Sequence, residues 1–326
     1  MTTDPVLGAV IIGRNEGGRL IRCLASVAPD VARMVYVDSG STDGSADAAR
    51  KLGAQVVDID MTQPFTAARA RNAGFAALMA AGPVEYVQFV DGDCELQPGW
   101  IAAARDFLEA HPQAAVACGR RRERFPEATV YNRLCDWEWD TALGQTKSCG
   151  GDALMRATHL DGVGGFNPAM IAGEEPELCV RLRQAGWQIW RLDHEMTLHD
   201  AAMTRFGQWW KRARRAGHAF GEGAALHGAP PERHSVDATR RILLWGVAIP
   251  AFILLAALLV TPWALLLVLL YPVQVARLAR REGAGDRSSW ERACLLTLGK
   301  FPEALGVLEY HWRRLLGRPA GLIEYK

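Results

Sequence analysis

Two aspartates separated by one glycine, Asp91-Gly92-Asp93, close the apolar run Gln88-Phe89-Val90. Such a run reads as a buried strand delivering carboxylates to its carboxyl edge, where open parallel sheets bind their ligands. Gly92 lets the chain turn between the two acids, so both carboxylates converge on one point. Two hard oxygen ligands that leave most coordination positions free suit Mg2+ or Mn2+ shared with a diphosphate, not an all-protein cage. Taken alone, the same three residues also serve as an acidic turn capping the following helix, so the surrounding chain has to decide. A second cluster, Gly173-Glu174-Glu175-Pro176-Glu177, begins a helical pattern. Transfer onto a hydroxyl needs a base for the hydroxyl proton. A partly shielded carboxylate near other carboxylates can hold a suitable pKa. Acidic residues also favour a first helical turn for its dipole alone.

The elements that must position these acids follow from periodicity. Residues 6–12, 34–37, 54–59 and 84–90 are near-continuous apolar runs, as expected of parallel strands buried on both faces. Residues 19–27, 46–52 and 65–81 between them read as helices, the last stopped by Gly82-Pro83. Strand, loop and helix in repetition give an α/β domain, Rossmann-like, with a mostly parallel sheet and helices on both faces. Three strands end in polar, glycine-rich loops at 13–18, 38–45 and 91–95, which should lie side by side above the sheet. No Gly-x-Gly-x-x-Gly fingerprint follows the first strand, and there is no Walker loop. Further on, 98–110 reads as an amphipathic helix, 114–118 and 187–192 as strands, and 161–168 as a flexible loop over the site or a plain surface connection. The basic run Arg120-Arg121-Arg122-Glu123-Arg124 reads as facing water in preference to phosphate.

The 326 residues are enough for one large domain or two smaller ones. A formal net charge of +1 does not advertise nucleic-acid binding. Seven cysteines without Cys-x-x-Cys or zinc-like spacing argue for reduced thiols in a cytosolic setting. No basic-then-apolar leader precedes the first strand, so no secretory signal is expected.

Val-Ile-Ile-Gly-Arg-Asn-Glu at 10–16, Val-Asp-Ser-Gly-Ser-Thr-Asp-Gly-Ser at 37–45, Ala-Arg-Asn-Ala-Gly at 70–74 and Val-Asp-Gly-Asp at 90–93 occur in register. In this order and spacing the chain resembles family 2 of the glycosyltransferases, with the GT-A fold. It departs from that pattern at Gly13, where another small residue or proline is usual, and at Ser39, where a second acid is common. The resemblance implies a nucleotide-diphosphate sugar donor, most often a uridine one, and a Mg2+ or Mn2+ cofactor. It places Asp38 at the base and Arg14, Glu16, Arg71 and Asp91 around the nucleoside and diphosphate. Asp93 becomes the more direct metal ligand beside Asp91, with His199 completing the metal set. The loop at Gly150, Gly151 and Asp152 borders the acceptor together with Glu174. The family carries Glu-Asp where this chain has Glu174-Glu175, which makes Glu175 the base.

From residue 203 the pattern changes. Phe206, Trp209, Trp210, Ala213 and Phe220 recur near helical spacing among Arg205, Lys211, Arg212, Arg214 and Arg215. That fits a helix in the interface of an anionic membrane, with a core-packing helix as the alternative. Gln208-Trp209-Trp210-Lys211-Arg212 only echoes the family's processivity motif, and processivity is not carried over. Residues 242–276 hold no charged side chain. Split at Thr261-Pro262 they make a hairpin, spanning or re-entrant, whose flanking arginines put both ends in the cytoplasm. Residues 290–316 read as one further helix, resting on the membrane or the catalytic domain, with Arg313, Arg314 and Arg318 near its end.

The sequence therefore predicts a GT-A catalytic domain over 1–202, an interface helix and linker over 203–239, a hairpin over 240–281 and a helical segment over 282–326. The expected function is metal-dependent, inverting sugar transfer to a lipid-linked acceptor at the cytoplasmic face of the inner membrane, in glycolipid or polysaccharide assembly. The alternatives are a polyprenyl-phosphate sugar transferase and a non-catalytic membrane scaffold. The oligomeric state is left open.

Overall fold

The computed structural model describes residues 6–283 and 285–317; the calls on residues 1–5 and on Arg318 lie outside them. The chain divides into two units, one of residues up to 127 with 135–202, the other of 128–134 with residues from 203 onward. In the first unit β1 (Leu7–Gly13), α1 (Gly18–Val27), β2 (Arg33–Asp38), α2 (Ser45–Lys51), β3 (Gln55–Asp58), α3 (Ala67–Ala80) and β4 (Tyr86–Asp91) alternate as the periodicity requires. β5 (Cys94–Leu96), α4 (Trp100–Ala110), β6 (Ala114–Glu123), α5 (Val130–Glu138, its first residues in the second unit), β7 (Gly144–Thr146), β8 (Ala153–Arg156), α6 (Ala157–Gly162), α7 (Glu174–Gln184) and β9 (Gln188–His199) follow. The sheet order is β3-β2-β1-β4-β8-β6-β9-β5, with β7 on β9. β3, β2, β1 and β4 are parallel neighbours, whereas β8 is antiparallel to both β4 and β6.

Ala9, Val10 and Ile11 are wholly buried, as a strand covered on both faces must be. α3 lies so close over β1 and β2 that a Cβ on Gly74 would collide with Val10 and Val37. Small residues in that helix are therefore a packing requirement. The parallel strands end together, and the loops after β1, β2 and β4 share one edge.

Three expectations need correction in this unit. β6 extends beyond 118 to Glu123, paired with β9 through register shifts at Cys118/Arg120 and Arg120/Arg121. The basic run is thus part of a strand: the Arg122 side chain is half exposed, while Arg121 and Glu123 are turned inward. Second, the 161–168 segment is not a loose flap. Asp161 and Gly162 end α6, Phe166 is buried edge-on against Phe89 at 5.1 Å, and Asn72 bonds both backbone groups of Phe166 (2.7 and 2.9 Å). Arg181 donates to the carbonyls of Val163 and Gly165 (2.5 and 2.7 Å), so α7 holds the segment down. Third, residues 187–199 form one strand instead of a short strand and a separate motif, and His199 is its last residue.

The second unit contains α8 (Phe206–His227), α9 (Val236–Leu243), a π-helical turn at Leu244–Ala248, α10 (Ile249–Leu259), a 3-10 segment at Pro262–Leu269, α11 (Leu270–Glu282), α12 (Arg287–Leu298) and α13 (Lys300–Leu315). Val236–Leu259 and Pro262–Glu282 are each long and apolar enough to cross a membrane, with 11% and 6% of their most apolar windows buried. Core helices would be mostly buried. The apolar stripe of α8 is partly used up internally: Trp209 and Ala213 are buried, and α13 packs so closely that Gly217 and Gly306 tolerate no Cβ. Arg214 pairs with Glu309 at 2.6 Å across this contact. Residues 290–316 are two helices, not one. Pro302 has no N–H for the Leu298 carbonyl, and the break falls at Gly299. The second of them, α13, rests on α8.

Candidate active site

The loops at the shared strand edge are clasped to one another. Asn15, at φ +54°, donates its backbone N–H to Ser41 Oγ (2.9 Å), and its side-chain oxygen accepts from Thr42 N–H (2.8 Å). Ser45 Oγ accepts from Gly17 N–H at 3.3 Å. Asp38 is buried within this clasp. Its carboxylate accepts from the N–H groups of Gly40 and Ser41 (3.0 and 2.7 Å) and from Tyr36 Oη–H (3.0 Å). Asp38 therefore shapes the loop that would receive a base. Arg14 is exposed at the rim, and Glu16 pairs with Arg19 at 2.7 Å.

Beneath the rim runs a chain of ion pairs. Arg71 reaches from α3 to Asp91 at 2.7 Å and to Glu174 at 2.5 Å, joining β4 to the start of α7. Arg121 pairs with the other oxygen of Asp91 at 3.2 Å and lies 3.6 Å from Asp152. Burial pushes the Asp91 carboxyl up, but Arg71 and Arg121 outweigh it and hold the group well below the usual carboxylate range. Asp91 is thus a fixed anion. Glu174 faces Arg71. Asp152 is fully buried, accepting from Asp91 N–H (3.0 Å) and Thr197 Oγ1–H (2.8 Å), and so braces β4 while bordering the cavity that Glu175 lines. Gly151 passes directly over this network. A Cβ there would come within 2.9 Å of Asp91 and 3.1 Å of Arg71.

Asp93 and His199 meet at the ends of β4 and β9, with Nε2 of the histidine 3.4 Å from Asp93 Oδ2. On the other side of the ring, Nδ1 lies 3.2 Å from Glu123 Oε2, and the Glu123 side chain is fully buried. Carboxylates thus face both ring nitrogens; a neutral ring carries one proton, and placed on Nδ1 toward the nearer Glu123 it leaves the Nε2 lone pair facing Asp93. Burial, followed by Arg121, lowers the His199 pKa against the pull of Glu123, which favours the neutral ring. Two acceptors directed at one point are what a shared cation satisfies; the carboxylate suits Mg2+ or Mn2+, and the imidazole shifts the preference toward a transition-metal ion such as Mn2+. Asp93, Cys94 and His199 form one cluster with donor atoms within 4.8 Å of one another. Asp91 belongs to a different cluster, with Cys94 and Asp152, and its two arginines occupy it. Of the three residues expected at a metal, Asp93 and His199 face one another, with Glu123 on the far side of the ring, while Asp91 is held between two arginines.

Glu175 is buried in the first turn of α7. Its carboxylate accepts from Cys149 N–H (2.5 Å) and Cys179 Sγ–H (3.1 Å). Burial raises its pKa, opposed by the Cys149 bond, so it is a stronger base than an ordinary glutamate. It lines a cavity of about 210 Å³ with Trp139, Gly150, Gly151 and Arg191. Gly150 is at the exposed mouth of this cavity. Trp139 forms the wall toward the metal residues, edge-on to His199 at 4.8 Å and beneath the Arg121 guanidinium at 4.8 Å. Asn15, Arg121, Glu123 and Trp139 are site residues that the sequence did not single out. Asn15 left a trace there within the motif at 10–16, and Arg121 and Glu123 within the basic run.

This sheet, with an acid pair at the end of β4 and a shielded carboxylate opening α7, defines the GT-A class of fold. Residues 9–157 match the family profile described as Glycosyl transferase family 2. It is 26% identical over 179 residues to the succinoglycan biosynthesis protein ExoA of Rhizobium meliloti, covering 52% of this chain and 54% of that protein. It is 26% identical over 261 residues to the pre-mycofactocin glycosyltransferase of Mycobacterium tuberculosis, covering 76% and 52%. The chain therefore spans about half the length of these curated relatives. In fold it is similar to the mannosyltransferase PcManGT of Pyrobaculum calidifontis, solved with GDP-Man and Mn2+. The TM-score is 0.65 at 18% identity, over 96% of this chain and 89% of that one.

Proposed function

We propose that the protein is a metal-dependent, inverting glycosyltransferase acting on a nucleotide-diphosphate sugar, with Glu175 as base. The observation that carries this reading is a buried carboxylate of raised pKa lining a cavity in the same unit as the Asp93–His199 pair. Asp38 and the clasped loops receive the nucleoside, and Arg14 and Glu16 flank it. Asp93 and His199 would hold Mg2+ or Mn2+, which when bound supplies positive charge for the departing diphosphate. Glu175 takes the proton from the acceptor hydroxyl as that oxygen attacks the anomeric carbon on the face opposite the leaving group. One displacement inverts the centre, so an α-linked donor gives a β-linked product. The mannosyltransferase neighbour was solved with GDP-Man and Mn2+, which supports a nucleotide-sugar and metal requirement; a uridine donor stays the first to test.

The acceptor in this reading is lipid-linked. The two apolar helices fit a hairpin crossing the inner membrane, with the catalytic unit in the cytoplasm. Relatives named for succinoglycan biosynthesis and for glycosyl transfer are consistent with polysaccharide or glycolipid assembly.

The test is consumption of a panel of nucleotide sugars by membranes containing the protein, with and without Mn2+, beside Asp93→Ala and Glu175→Gln. Metal-dependent turnover of one donor should fall about 10²–10⁴-fold in Glu175→Gln and vanish in Asp93→Ala. Absence of binding and turnover for every donor, with metal and lipids supplied, sinks the reading and leaves the scaffold. Release of the transferred sugar by mild acid would identify a polyprenyl-phosphate product instead.

A further inference from the structure

We propose that Cys149, Glu175 and Cys179 form a second cation site, selective for a thiophilic divalent ion of the zinc class, which occupies the carboxylate of the base. The site stands on its own geometry; only its inhibitory consequence rests on the transferase reading. Glu175 and Cys179 are four residues apart in α7 and share one face of that helix. Cys149 reaches them from the loop before Gly150, anchored by its own N–H on Glu175. The two sulfurs are 3.7 Å apart. A tetrahedral zinc ion with Zn–S distances of about 2.3 Å puts two thiolates roughly 3.8 Å apart. The third donor, Glu175 Oε1, is 3.1 Å from the Cys179 sulfur, and all three donor atoms lie within 4.8 Å of one another.

Three protein ligands leave a fourth tetrahedral position, and Cys149 and Glu175 both border the cavity, which admits a water there. Soft sulfur ligands prefer zinc to Mg2+ or Mn2+, whereas Asp93 and His199 offer the harder set. The two sites therefore sort cations by chemistry. Binding releases one proton from each thiol to solvent, and Glu175 joins as carboxylate. Coordination to the cation draws charge from the carboxylate and lowers its basicity, so it takes the acceptor proton less readily.

The experiment uses the full-length protein in detergent with a phosphine reductant, titrated with Co2+ as an optical stand-in. A near-ultraviolet thiolate-to-cobalt charge-transfer band should appear, bleach when Zn2+ is added, and weaken in cobalt affinity by more than about tenfold in Cys149→Ser or Cys179→Ser. It should persist in Cys94→Ser, the thiol beside the Asp93–His199 pair, and in Asp93→Ala. No band, or a band lost with Cys94 and kept without Cys149 and Cys179, overturns the proposal. As a check that needs no variant, Zn2+ should protect Cys149 and Cys179 of the native protein from alkylation, read by peptide mass spectrometry. Equal alkylation with and without zinc overturns it too. These readouts need no donor, so a missing band with intact turnover sinks this site alone. A band with no turnover of any donor sinks the transferase reading alone.

Discussion

Glu175 carries the sharpest residue-scale consequence, because its environment sets both protonation and stability. Burial raises its pKa above the ordinary glutamate value of about 4.3. A carboxyl with a raised folded-state pKa contributes stability below its unfolded value and loses that contribution as pH rises through the folded one. Glu175→Gln removes the cost of ionising it, so the variant should melt higher than the parent at neutral pH and lose this advantage in acid. Thermal melts at several pH values test this; an advantage that grows in acid would contradict it. The acid limb of the parent's pH–rate profile should correspondingly lie above the range of an exposed glutamate. His199 depends on a neighbour in the same way. Glu123 fixes the ring, so Glu123→Ala should raise the Mn2+ concentration for half-maximal activity about 10–100-fold, with Glu123→Gln milder. A variant that loses turnover at unchanged metal dependence would show that Glu123 acts otherwise.

Between elements, the clasp from Asn15 to the loop after β2 is the contact on which donor recognition should depend. Asn15→Gly keeps the positive φ but loses the side-chain bond to Thr42. A hydrogen bond of about 1 kcal/mol corresponds to roughly fivefold, expected in donor KM with kcat little changed. An effect on kcat alone would place the loop in the chemistry instead of in binding. The element scale is also where the sequence was most and least legible. β1 to β4 were plain as apolar runs, those of β1, β2 and β4 closed by polar, glycine-rich residues, and the same runs placed Asp38, Asp91 and Asp93 on one edge. Arg121 and Glu123 were hidden, because charged side chains on a strand look solvated unless their buried partners, Asp91 and His199, are already known. The burial of Asp152 was equally hidden: its small-residue loop gave no sign that the carboxylate accepts from the backbone of β4. The segment at 161–168 reads as mobile from its glycines, yet Asn72 and Arg181 are far away in sequence and pin it in space.

At the scale of the whole molecule, a hairpin that spans the membrane needs two halves long enough to cross it. The charge-free part of its second half, residues 262–276, is short if it is all α-helix, about 22 Å at 1.5 Å per residue. The structure lengthens it. Pro262–Leu269 is a 3-10 segment, and eight residues at about 2.0 Å instead of 1.5 Å add roughly 4 Å. The first half, residues 242–259, rises about 27 Å on the same basis. Both halves then approach the roughly 30 Å hydrocarbon core with arginines at their outer ends, so spanning is favoured over re-entry. The turn at Thr261-Pro262 should face outward and α12 inward. A membrane-impermeant maleimide applied to intact cells should label Thr261→Cys, while Cys294, exposed on α12, should react only after permeabilisation. Labelling of both positions only after permeabilisation would make the hairpin re-entrant. Equal labelling of both in intact cells would contradict the proposed orientation, and with it the cytoplasmic access to nucleotide sugar on which the transferase reading depends.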